Sequence, residues 1–116
     1  MNDKELADRV VALGVGKANQ IYPDGIGKFY QVDVDADWQT SVNESKFVRD
    51  WRVAGAMMER CRNIHIYWDD IDFSVVAHGP FVTGKTTGKG EVDALSKNFY
   101  PLPRAIIEAC CEALYD

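Results

Sequence analysis

The chain predicts an α+β fold, a small two- or three-layer sandwich in which about three helices cover an antiparallel sheet. Apolar residues recur at helical spacing near the start, in the middle and at the end of the chain. Between the last two of those segments lie two β-rich runs separated by an acidic turn. With 116 residues, the expectation is one domain over 1–116, enough for a single core.

Taken in order, the first helix is expected over residues 3–13. Asn2 caps it, Glu5 completes a capping box, and Leu6, Val10 and Leu13 share a face that Ala7 and Val11 broaden. Gly14 and Gly16 end it. Residues 21–27 read as a turn around Pro23, Asp24 and Gly25. A strand over 28–34 follows, with Phe29, Gln31 and Asp33 opposing Tyr30, Val32 and Val34.

Asp50 caps a second helix whose expected face is Trp51, Ala54, Met58 and Cys61, and the missing side chain of Gly55 is expected to admit a close neighbour. Trp51 and Phe29 are assigned to the core, and Trp38 is expected to pack back on the domain. A hairpin pairs residues 64–68 with 73–77 through Asp69, Asp70, Ile71 and Asp72. Residues 78–98, rich in glycine, threonine and lysine, read as a flexible surface loop. The last helix starts near Pro101 or Pro103, where a missing amide is harmless, and presents Ile106, Cys110 and Ala113 beside Ile107, Cys111 and Leu114.

This order resembles the small phage-encoded α-β-α sandwich domain family, on Leu6, Val10, Leu13 and Gly14 in the first helix, Trp51, Ala54 and Gly55 in the second, and Pro103, Ala105, Ile106, Ala109 and Leu114 in the last. The 79–97 stretch departs from it, because that family has a shorter loop before its last helix. The resemblance implies a phage or prophage origin and brings no catalytic residues with it.

A net charge of −5 disfavours wrapping around nucleic acid, where basic side chains must displace counterions from phosphate, and favours a partner with a basic surface. No stretch approaches the length of a membrane span, and the first residues lack a secretory pattern, so a cytoplasmic location is expected. Cys61, Cys110 and Cys111 are odd in number, and the adjacent pair points to different helix faces. They predict buried thiols rather than disulfides or, with His65 and His78, a zinc site.

Several motifs point to chemistry. Gly79, Pro80, Phe81, Val82, Thr83, Gly84, Lys85 and Thr86 match the P-loop spacing, yet Gly88 and Gly90 fall where the phosphate-binding helix must begin. Asp33, Asp35, Asp37, Gln39, Ser41 and Glu44 keep calcium-loop spacing, but Trp38 replaces the glycine of the sharp turn. His65 and His78 lack a local nucleophile and orienting carboxylate.

No cofactor is therefore expected, and the leading expectation is a non-enzymatic phage accessory protein that binds, and by binding inhibits, a bacterial defence or nucleic-acid-processing complex. Tyr67, Trp68 and Phe81 would be its aromatic anchors, and Asp69, Asp70 and Asp72 its complementary charge. The alternatives are a small hydrolase using Asp33, Asp35 and Asp37 with a metal, or Lys85 and Thr86 with a nucleotide, and a structural homodimer.

Overall fold

The computed structural model describes residues 1–20, 28–69, 72–89 and 101–114. In chain order the elements are α1 (Asp3–Ala12), β1 (Lys17–Gln20), β2 (Lys28–Gln31), a 3-10 turn at Trp38–Thr40, the single-turn α2 (Glu44–Phe47), α3 (Trp51–Arg60), β3 (Asn63–Asp69), β4 (Asp72–His78), β5 (Thr83–Lys89) and α4 (Leu102–Leu114). Two antiparallel sheets result, the ribbon β1-β2 and the three-stranded β3-β4-β5. This is the expected α+β class.

The caps explain where the helices begin. Asn2 accepts the Glu5 amide at 2.8 Å, the expected cap, and the Glu5 carboxylate accepts from the Asn2 side-chain Nδ2 at 3.0 Å rather than from the Asn2 backbone amide of a capping box. Gly14 and Gly16, at φ 90° and 69°, then turn the chain into β1. Asn43 and Asp50 cap α2 and α3 in the same way.

α4 is the centre of the molecule. One side lies on β4 and β5, and α3 and α1 pack against it elsewhere. Pro103 through Ile107, Ala109 to Cys111 and Ala113 are all buried, so its apolar pattern runs nearly all round. Phe73, Val75 and Ala77 of β4 face it, and Asp72, Ser74, Val76 and His78 alternate to the outer face. A second part of the same core joins Leu6, Val10, Tyr30, Phe47 and Met57, with the rings of Tyr30 and Phe47 stacked at 5.1 Å.

Several expectations are corrected. Residues 83–89 are not a loop but β5, paired along its whole length with β4. Glycine and lysine weaken strand propensity, and contact with α4 overrides it. Residues 90–98 of the expected loop, and the expected turn at 21–27, lie outside the described residues.

The buried stripe of α3 is Val53, Ala54 and Met57, and Trp51 at the helix start is 57% exposed. Trp38 is also exposed, and Tyr30 takes the central position expected of the half-buried Phe29. A Cβ on Gly55 would meet nothing within 4 Å, so no close neighbour explains that glycine. Gly55→Ala is therefore expected to stabilise the protein by about 0.5–1 kcal/mol through helix propensity, read as a raised urea midpoint at unchanged m-value.

Candidate protein-binding site

The P-loop match dissolves into packing. Residues 79–82 form a tight hairpin connection closed by the Gly79 amide on the Val82 carbonyl at 2.9 Å, and Lys85 and Thr86 lie on a strand where a phosphate site needs a helix N-terminus. Both motif glycines serve α4. A Cβ on Gly79 would run into the Ala113 carbonyl, and one on Gly84 into the Ala109 carbonyl and within 2.9 Å of the Ala113 nitrogen. The Thr86 hydroxyl oxygen is buried without a partner among the described residues. The Lys85 amide donates to Glu112 of α4 at 3.1 Å.

The acidic segment after β2 is likewise occupied by its own backbone. Asp33 accepts the Asp35 amide at 3.0 Å, and Asp37 caps the 3-10 turn through the Gln39 amide at 3.1 Å. Buried Gln31 organises the segment, donating to the carbonyls of Asp33 and Ala36 while accepting from Asn19. Asn19 also donates to Ser41 at 2.9 Å. Among the described residues no group of three or more His, Cys, Asp and Glu is placed to hold a metal ion.

The cysteines are free thiols. Burial pushes all of them up, Cys111 to about 12, which keeps them protonated at neutral pH. His65 and His78 sit on the outer sheet face with ring centroids 5.6 Å apart and edge-on, bonded to Asn63 and Thr83 respectively. An open groove of about 260 Å³ between α3 and the Gly14–Gly16 turn carries Arg52 and Arg60. Asp50 holds Arg52 through two bonds of 2.8 and 3.1 Å, and Arg60 reaches the Gly14 and Ala56 carbonyls.

Among the described residues, most of the large apolar side chains left exposed are aromatic. At the closed end of the β3–β4 hairpin Tyr67 is 55% and Trp68 60% exposed, the latter leaning on Phe73 at 5.2 Å. Asp69 pairs with Asp72 in register there, and Asp72 is exposed, with Lys89 across from it on β5. Asp70 lies outside the described residues. Phe81 is 89% exposed but belongs to the β4–β5 connection at the other end of the sheet, a strand length or roughly 20 Å away. The structure thus places Tyr67, Trp68, Asp69 and Asp72 at one hairpin end, with Trp68 on the α4 face and the other three at positions of the outer face, and separates Phe81 from them.

Sequence reasoning missed Ile66. It alternates to the α4 side of the sheet, yet it is 38% exposed because α4 lies over β4 and β5 rather than β3. On the same face Ile64 packs against the core, and only the placement of α4 reveals Ile66 as surface.

Comparison with known protein families, with characterised proteins and with solved structures finds no match for this chain. Among the described residues no helix is long and apolar enough to cross a membrane.

Proposed function

We propose that this chain is a non-enzymatic accessory protein that binds a bacterial protein or complex through the closed end of its β3–β4 hairpin. The observation that carries the reading is the exposure of both Tyr67 and Trp68, on opposite faces of the strand end, beside an acidic turn. Aromatic side chains that desolvate much area at low entropic cost are the usual anchors of protein interfaces, and flanking carboxylates select a basic partner surface. The overall charge of −5 acts in the same sense. The resemblance to phage-encoded α-β-α domains motivates the host cytoplasm as the setting, with inhibition of a defence or nucleic-acid-processing machine as the consequence of binding.

The hydrolase reading has less support, because Asp33 is engaged with the Asp35 amide, Asp37 caps the 3-10 turn, and Lys85 and Thr86 belong to a strand. Affinity capture from bacterial lysate tests the binding reading. Wild-type protein is expected to retain a specific partner that is lost on charge reversal at Asp69, Asp70 and Asp72, with retention weakening as salt rises. Equal retention by the reversed variant would reject this placement of the site.

A further inference from the structure

We infer that His65 and His78 form a two-imidazole site for a divalent late transition ion, copper or zinc, on the outer face of the three-stranded sheet. Val76 stands opposite His65 in register and shares the outward face of β4 with His78, so the two imidazoles are diagonal neighbours across β3 and β4. Their ring centroids are 5.6 Å apart. Two imidazoles that share one ion through nitrogens about 2.0–2.1 Å from it have centroids roughly 4.5–6 Å apart. The strands are therefore already at the right spacing, and the edge-on rings need only side-chain rotation to converge.

The hydrogen bonds also select the ligating nitrogens. Asn63 accepts the Ile64 amide through Oδ1 at 2.9 Å, which leaves its Nδ2 to donate to His65 Nε2 at 3.1 Å. His65 Nε2 is thus the ring nitrogen with the lone pair, and it is turned toward Asn63, the register partner of His78. On the β5 side the Thr83 hydroxyl lies 3.4 Å from His78 Nδ1. With Nδ1–H donating to that hydroxyl, His78 Nε2 carries the lone pair, the arrangement in which an outer oxygen fixes the tautomer of a metal-binding histidine. Neutral nitrogen ligands select copper, nickel and zinc over calcium and magnesium, with Cu(II) held most tightly. The cysteines take no part, since Cys110 and Cys111 are buried in α4 behind the sheet and Cys61 packs against the core.

This inference goes beyond the host-partner reading and stands without it, since purified, tag-free protein and a metal salt alone test it. Calorimetric titration with Cu(II) chloride is expected to show one ion bound per chain with a micromolar Kd, and Zn(II) bound more weakly at the same site. His65→Ala and His78→Ala are each expected to weaken Cu(II) binding roughly tenfold or more, because each removes one arm of the chelate. The electron paramagnetic resonance spectrum of the copper form is expected to show two nitrogen ligands in wild type and one in either variant.

Circular dichroism establishes that each variant is folded. Should either fail to fold, the wild-type spectrum carries the test, and a single nitrogen ligand there overturns the inference. So does the absence of saturable binding at micromolar Cu(II). Two independent imidazoles would bind two ions, and each variant would leave the remaining site at wild-type strength, which overturns it as well. Loss of host capture with metal binding intact would count against the hairpin-end reading alone.

Discussion

Gly84→Ala is expected to destabilise the fold by about 3 kcal/mol, the upper range for forcing a methyl group into a filled space. The added Cβ would meet the Ala109 carbonyl, the Glu112 Cβ at 2.8 Å and the Ala113 nitrogen at 2.9 Å. Two of those atoms are helix backbone, which no rotamer change moves aside. Relief requires α4 to lift from β5, and α4 also holds the faces of α1 and α3, so the cost spreads through the core. Urea unfolding measures it. A midpoint indistinguishable from wild type would show that α4 does not rest on Gly84, whereas the same substitution at open Gly55 is expected to shift the midpoint the other way.

Arg104→Ala is expected to cost a comparable amount, about 3 kcal/mol, because it takes the buried guanidinium from the part-buried carboxylates of Asp3 and Glu108 and leaves them to Arg49 and the chain's amino terminus. Arg104 is 3% exposed within the core-facing part of α4. It donates to Asp3 at 2.8 Å, to Glu108 at 2.7 Å and to the Met1 carbonyl at 2.9 Å, and Arg49 reaches the other oxygen of Asp3 at 2.8 Å. One cluster therefore ties the start of α1, the end of the α2 segment and α4 together.

Burial alone would raise the Asp3 carboxyl, but the hydrogen bonds from Arg104 and Arg49 outweigh it and hold the group below its ordinary value. A carboxyl whose pKa is lower folded than unfolded contributes fully above the unfolded value and loses its contribution as pH falls through the folded one. The stability gap between wild type and Arg104→Ala is thus expected to be widest near neutral pH and to narrow as the solution is acidified below the usual aspartate range. Arg104→Met, which fills the same space, is expected to recover part of the packing but none of the pH dependence. A gap constant across that acid range would contradict the assignment.

Local signals were legible in the sequence to the extent that local physics decides the outcome. The Asn2 cap, the Asp50 cap, the glycine end of α1 and the β3–β4 hairpin all depend on neighbours within a few residues, and all appear where expected. β5 was not legible, because its glycines and lysines read as loop until α4 is laid across them. The Arg104–Asp3 contact joins residues 101 positions apart, beyond any periodicity. The site was half legible. Tyr67, Trp68, Asp69 and Asp72 are close in sequence and stay at one hairpin end, but Phe81 sits at the far end of the sheet, and the exposure of Ile66 depends on which strands α4 covers.

The measurement that bears most directly on function is capture from bacterial lysate with wild-type protein, the Asp69, Asp70 and Asp72 charge reversal, and Phe81→Ala side by side. Binding through the closed end of the β3–β4 hairpin predicts a partner retained by wild type and by Phe81→Ala and lost by the charge reversal. Retention by the charge reversal together with loss on Phe81→Ala would place the interface at the opposite end of the sheet and contradict the proposed site.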